Sequence, residues 1–439
     1  MPSRPVTSPG SGTLKGVDAS NRPQDHILAT NSGQTAPASP RPGLGSPWTL
    51  AAVCLCGIFA FLNLYVTQPM LPMFEHLFRA SKSMVSLTVS ASTLGVAISA
   101  PFLGAIAERM SRKRVIVLGL LLLALPTLLA ATSPRLPLLI LWRFLQGLVM
   151  PAIFASVITY IGEEWSPLSI ALVMSIYVSG TAMGGFLGRL IAGLTAEYLN
   201  WRASFLLLGL LTAAGAALIA FILPREKRPL PQHPHPGLTA QIRGTLAHFA
   251  NPRLLATYTV GFGMLFALVS TFTYVTFYLA APPFSLSTAA LSHLFAIYLI
   301  GLLVTPAGGY LITRIGMRRG IVFAILLCLL GEGLTLSHNL WIVVFGGLGL
   351  VCTGVFMAQS TAANFVRLAA PDGTRVSAAG LYLSCYYLGG TAGGVLPGVA
   401  WNLGQWPACV ALTSTVLLLI IGIGWAGFRA PGTSTKTIP

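Results

Sequence analysis

The sequence predicts an all-α integral membrane protein: twelve transmembrane helices in two pseudo-symmetric six-helix bundles around a central cavity. Three observations predict it. Of 439 residues, 54% are hydrophobic and only 8% are charged, where a soluble domain carries about 25% charged residues. Apolar stretches long enough to cross a bilayer recur along the chain. One polar, proline-rich stretch divides them into two equal sets that repeat each other's motifs.

The composition also excludes. A water-soluble fold cannot hide this much apolar surface, so a globular enzyme is excluded. Six Cys in 439 residues exclude a disulfide scaffold. The net charge of +16 would suggest nucleic acid in a soluble protein, but membrane proteins concentrate Lys and Arg in their cytoplasmic loops. Topology therefore explains the basic excess, and no nucleic-acid partner is expected.

Residues 1–46 are rich in Pro, Ser, Gly and Thr and read as a disordered cytoplasmic tail without a secretory signal. A helix needs roughly 20 apolar residues to cross a bilayer core of about 30 Å. Spans are read at 48–70, 84–105, 114–132, 137–161, 168–196 and 202–223, forming a first bundle over 47–223. A linker follows at 224–253 with five Lys/Arg and six Pro. Spans at 254–280, 288–312, 319–337, 341–366, 377–402 and 407–428 form a second bundle over 254–430, and 431–439 is a tail. The interior prolines, such as Pro126, Pro151 and Pro397, are tolerated where neighbouring helices re-satisfy the freed carbonyls.

With the N-terminus inside, the cytoplasmic segments carry 20 Lys/Arg and the outer loops four. That bias predicts both termini in the cytoplasm and contact with anionic lipids. Arg143 and Arg189 are the only cations left inside spans.

The halves echo each other. GAIAERMSRKR (Gly104 to Arg114) and GYLITRIGMRR (Gly309 to Arg319) lie 205 residues apart, each after the second span of its half. Tyr177-VSGTAMGG-Phe186 in the fifth span matches Tyr386-YLGGTAGG-Val395 in the eleventh. Such repeats mark alternating-access transporters.

These residues carry a family resemblance over about 48–428. The chain resembles the major facilitator superfamily, within its twelve-helix drug:proton antiporter branch, and is similar to the YnfM-like group of predicted arabinose-efflux permeases. The family's loop motif G-x-L-a-D-R-x-G-R-R/K is matched at Gly104, Glu108, Arg109, Arg112 and Lys113, with Glu108 for Asp and Ser111 for the second Gly. The second copy keeps Gly309, Arg314, Gly316, Arg318 and Arg319 but has Thr313 at the acidic place. R-x-x-Q-G stands intact as Arg143-FL-Gln146-Gly147. The antiporter motif G-P-x-x-G-G is partial, with Thr181 for Pro between Gly180 and Gly184-Gly185. The first span ends in Gln68-Pro69-ML-Pro72, like the family's P-x-x-P.

The resemblance implies a secondary transporter without cofactor or metal. It implies a cytoplasmic gate of Gly104, Glu108, Arg109, Arg112 and Lys113 with Glu164 or its neighbour Glu163, closed by ion pairs and released when the inside opens. The residues add their own reading. A charge at membrane depth costs about 2.5–3.5 kcal/mol on insertion scales, so Arg143, with Gln146 one turn on, is expected at the substrate or coupling site. Arg189 either faces the cavity or snorkels outward. Asn63, Tyr65 and Gln68 on the first span, Tyr274 on the seventh and Tyr386 on the eleventh offer aromatic walls with polar handles, which suit an amphipathic small molecule. Gly180, Gly184, Gly185 and Gly188, with Gly389 and Gly393, allow close helix packing, and the fifth helix is expected to slide against the opposite half.

None of the ten acids falls clearly at mid-membrane, and Glu332, near the outer end of the ninth span, is the nearest candidate proton carrier. No phosphate loop is present, so the chain does not power itself with ATP. The sequence therefore predicts a monomeric, proton-coupled exporter of a small organic molecule in the cell's inner membrane, and not an enzyme. An uncoupled facilitator is the alternative; a membrane enzyme or a transporter-like sensor is more remote.

Overall fold

Caps and prolines set where the helices start. In the computed structural model, which describes residues 46–102, 110–226, 245–371 and 374–428, Ser46 accepts from the Trp48 amide at the head of α1 (Pro47–Phe61). Ser81 caps α3 (Lys82–Ser99), Ser111 caps α4 (Arg112–Ala130), Asn200 caps α7 (Trp201–Ile222), Asn251 caps α8 (Pro252–Ala280) and Ser287 caps α9 (Thr288–Leu294). Each side chain takes at least one of the orphan N–H groups that an uncapped helix would strand at the membrane edge, and Asn251 takes two. Pro occupies the first turn of α2 (Leu71–Phe78), α5 (Leu136–Glu164) and α6 (Pro167–Tyr198), where its missing N–H costs nothing. In the second half, Gly316 caps α11 (Met317–Leu334) at φ 85°, a conformation that requires glycine.

The remaining helices are α10 (Ile300–Ile315), α12 (Gly349–Ala369) and α13 (Arg375–Gly427). α13 contains two spans, parted where Gly404 and Gln405 leave helical geometry. Eight helices among the described residues are long and apolar enough to cross a membrane by themselves. The other spans fail that test for local reasons. The first is interrupted after Phe61, α3 is rich in Ser and Thr, and α11 carries Arg318, Arg319 and Glu332.

Two spans expected to run unbroken do not. The first, 48–70, loses helical order over 62–67, tightens into a 3-10 turn at Gln68–Met70 and resumes as α2. The eighth, 288–312, passes through a 3-10 segment, Phe295–Leu299, between α9 and α10. Sequence pattern misses both because each span is apolar enough over its length to read as one continuous helix. The tenth begins with π-helical turns at Ile342–Leu348.

Glycine ladders fasten helices within each half. A methyl on Gly180, Gly184 or Gly188 would run into the carbonyls of Cys54, Ile58 or Leu62, so α6 lies backbone-to-backbone on the first span. Gly389 and Gly393 meet the carbonyls of Phe262 and Phe266 of α8 in the same way. Gly185 instead faces the Arg189 guanidinium. The expectation that the fifth helix slides on the opposite half through this ladder is therefore corrected: the ladder is spent inside its own half. Contacts this close forfeit much packing if they move.

The halves meet elsewhere. Gly193 packs on Ser292, Gly394 on Ser90 and Gly398 on Ser83. Thr93 and Thr391 hydroxyls pair at 3.0 Å, and Lys82 lies 5.5 Å and 5.4 Å from the Phe277 and Trp401 ring centres. The Glu197 carboxylate accepts from the Thr288 amide at 3.0 Å. These contacts run from the middle of the spans to the end opposite the linker, here the far end.

Candidate functional site

Two buried arginines organise the polar interior, and both use the break in the first span. Over 62–67 the chain gives up its helical ladder, which leaves carbonyls that lipid cannot satisfy. Arg143 of α5, fully buried, fills that gap. Its Nη1 donates to the Asn63 carbonyl at 2.6 Å and its Nη2 to the Leu64 carbonyl and to Ser92 Oγ at 3.0 Å. Its Nε donates to the Thr88 carbonyl at 3.0 Å, and Nη1 also reaches Gln146 Oε1. All five guanidinium donors are thereby used. Gln146 passes the network to Thr127 at 2.8 Å, and Asn63 Nδ2 donates to Thr212 at 2.9 Å. This cluster joins α3, α4, α5, α7 and the first span, all of one half.

Arg189 of α6 lies on the other side of the same break. It is 1% exposed, so it does not snorkel. Its Nε donates to Gln68 Oε1 at 2.7 Å and its Nη1 to the Gly185 carbonyl at 2.7 Å, while Nη2 has no hydrogen-bond partner. Three rings box the guanidinium: Tyr65 at 4.8 Å, Phe295 at 4.7 Å and Tyr298 at 4.5 Å. Tyr65 comes from the broken first span, and Phe295 and Tyr298 from the 3-10 segment of the eighth. Gln68 Nε2 crosses to Thr273 of α8 at 3.1 Å. The two irregular segments, one from each half, therefore meet on a single cation. Discontinuous helices at the junction of two repeats are where transporters build their sites.

Of the other sequence-predicted residues, Tyr386 lies close enough to Tyr65 and Tyr298 of the Arg189 box to interact with them, while Tyr274 and Glu332 take separate places. Tyr274 is buried and donates to the Gly394 carbonyl at 2.9 Å, inside the second half. Tyr386 stacks on Tyr382 at 6.1 Å and meets Tyr387 edge-on at 5.5 Å. Glu332 is 1% exposed in α11 and accepts from Thr271 Oγ1 of α8. Sequence reasoning misses Phe295, Tyr298, Thr273 and Thr271. The i, i+3 spacing of Phe295 and Tyr298 is readable, but nothing local ties them to Arg189.

At the linker end, Arg112 is bound to Glu163, with Nη2 3.1 Å from Oε1 and Nε 3.4 Å from Oε2, and its amide donates to Glu226 Oε1. Glu164 and Lys113 are half-buried beside them. Gly104, Glu108 and Arg109 lie outside the described residues. The pair ties α4 to α5 within one half, and the amide contact ties α4 to the start of the linker. The pair is formed while the halves are in contact toward the far end.

Comparison with known proteins agrees with this architecture. Residues 53–300 match the Major Facilitator Superfamily. The inner membrane transport protein YnfM of Escherichia coli is 32% identical over 375 residues, 85% of this chain and 88% of that one. An uncharacterized transporter of Buchnera aphidicola is 30% identical over 84% of this chain and 87% of its own length. The crystal structure of the nucleoside transporter NupG aligns with a TM-score of 0.73 at 14% identity, covering 87% of this chain and all of that one. The human organic anion transporter MFSD10 aligns at 0.66 and 19% identity, over 86% of this chain and 99% of that one. Twelve spans in two repeated halves, the intact R-x-x-Q-G arginine and these matches lead to one conclusion: the chain belongs to the Major Facilitator Superfamily and is a multi-pass membrane transporter of that type.

Proposed function

We propose that the protein exports a small organic molecule from the bacterial cytoplasm by proton-coupled alternating access, with its substrate site at the Arg189 seam. The observation that carries this reading is the meeting of both irregular segments on Arg189, beside the Gln68–Thr273 bond that joins the halves. Bundles 47–223 and 254–430 rock about this seam as bodies joined by the linker 224–253, with both termini in the cytoplasm and one chain as the working unit.

In this reading Arg143 and Gln146 hold the broken first span in shape, and Tyr65, Gln68 and Arg189 face the substrate. Glu332 carries the proton. It is buried, without a cationic partner among the described residues, and its Thr271 contact sits two residues from Thr273 on α8. Outward direction and antiport follow the family branch that the loop and fifth-helix motifs resemble. The Arg112–Glu163 pair, with Arg109, would set the resting position of the linker end, and the basic loops would hold anionic lipid.

The test is flux in proteoliposomes under an imposed pH gradient, with candidate compounds added singly. One compound should evoke proton movement in the wild type. Glu332→Gln should abolish gradient-driven transport while sparing substrate exchange. Substrate equilibration without any proton movement would replace coupling with facilitated diffusion.

A further inference from the structure

Resting on the seam reading and deepening it, we propose that the transported molecule is an organic anion, a monocarboxylate with an apolar body, and that Arg189 Nη2 is its charge partner. The argument begins with charge. Of the two cations inside the spans, Arg143 has every donor taken, and Arg189 keeps a whole NH2 group without a partner at 1% exposure. An unsatisfied buried donor is costly, and a charged one more so. No described carboxylate makes a salt bridge with Arg189. Glu75 is bound to Lys82, Glu163 to Arg112, Glu226 to the Arg112 amide, Glu197 to the Thr288 amide and Glu332 to Thr271. Among the described residues, a cation at membrane depth is thus held without an acid of the protein's own.

The surroundings narrow the ligand. Gln68 spends its oxygen on Arg189 and its NH2 on Thr273, so it adds no free polar group in this state. Tyr65 and Tyr298 present ring faces to the guanidinium. The one charged group offered to a ligand is therefore a guanidinium edge, and the walls are aromatic, with the phenol hydroxyls of Tyr65 and Tyr298 as neutral handles. A carboxylate meets a guanidinium edge with charge-assisted, directional bonds, and an apolar body suits the rings. A cationic substrate would meet Arg189 with no acid to offset it.

The box is also divided between the moving parts. Tyr65 and Gln68 belong to the same half as Arg189, and Phe295 and Tyr298 to the other. When the halves part, Arg189 loses two of its three rings. An anion arriving then replaces the lost stabilisation, so binding and opening are linked through one residue.

The test uses the full chain in proteoliposomes, with benzoate, phenylacetate and indole-3-acetate as probes, each beside its neutral amide and its cationic amine isostere. Two readouts run together. One is saturable uptake. The other is maleimide labelling of Ser83→Cys, which opposes Gly398 across the seam at the far end, with the wild type as labelling control. At least one carboxylate should move and alter labelling, and its amide and amine should act at least about tenfold more weakly. Arg189→Gln should cost about tenfold or more in apparent affinity, and Arg189→Lys should keep part of it. If Arg189→Gln does not fold, the carboxylate-to-amide ratio in the wild type decides. Amides or amines that move and alter labelling while carboxylates do not would overturn the anion proposal and leave the seam site standing. Carboxylate uptake unchanged in folded Arg189→Gln would overturn it as well. Flux and labelling unmoved by every probe would overturn both readings.

Discussion

The region around Arg143 and the region around Arg189 share one unwound piece of chain and use it differently. Arg143 faces its backbone and closes five hydrogen bonds inside one half. Arg189 faces its side chains, closes two, and completes its surroundings with rings from the other half. A guanidinium satisfied within one body stiffens that body. One completed across a seam depends on whether the seam is shut. The internal repeat sharpens the contrast: 209 residues after Gly180, Gly184 and Arg189 come Gly389, Gly393 and Gly398. The packing glycines have counterparts and the seam cation does not, so the asymmetry falls where the chemistry is.

The largest expected effect breaks the first region. Arg143→Gln leaves the Asn63, Leu64 and Thr88 carbonyls unpaired beneath the lipid surface. It should cost about 3–5 kcal/mol, read as a large fall in the thermal unfolding midpoint in detergent. An unchanged midpoint would erase the distinction between the two arginines. Next is the ladder beside the seam. Gly188→Ala drives a methyl into the Leu62 carbonyl, and overpacking of this kind costs about 1–3 kcal/mol. Gly185→Ala, which meets only a guanidinium nitrogen at 3.4 Å, should cost less in the same assay.

Arg189→Gln sharpens the comparison from the other side. Its unfolding midpoint should stay much nearer the wild type than that of Arg143→Gln, while uptake falls by about tenfold or more. Glu163→Gln neutralises the acid of a pair confined to one half, 26% exposed on Glu163 and 3% on Arg112, and Gln keeps one acceptor for the guanidinium, so its stability cost should be about 1–2 kcal/mol.

The smallest effect lies outside the membrane. His248 in the linker bonds Ser377 Oγ at 2.8 Å, and burial lowers its pKa. The folded state therefore prefers the neutral ring. This contribution is full above the unfolded His pKa and is lost as pH falls through the folded one. A single titrating ring keeps the slope of stability against pH below about 1.4 kcal/mol per pH unit, and His248→Gln should abolish it. Thermal unfolding midpoints measured between pH 5 and 8, roughly the range in which a histidine titrates, check this.

Much is legible in the sequence because bilayer physics writes it there. The span count follows from apolar length, since a backbone in lipid must close its hydrogen bonds within a helix. Arg143, Gln146 and Arg189 stand out because a charge in an apolar span needs a reason. The breaks at 62–67 and 295–299 are not legible, since a few polar residues such as Asn63 and Thr67 in a long apolar span do not mark where a helix opens; only packing shows their carbonyls and rings in use. Nor can the glycine repeats say which helix they touch, because small-residue spacing reports closeness without a partner.

By itself, then, the sequence determined the solvent, the number of spans, the division into halves and the identity of the two buried cations. Each of these is a property of local composition weighed against water and lipid. Only the tertiary structure decided that one cation is saturated and the other left open. A guanidinium's state is the sum of its neighbours, and those neighbours come from Asn63, Thr88 and Ser92 on one side and from Gln68, Phe295 and Tyr298 on the other, far apart along the chain.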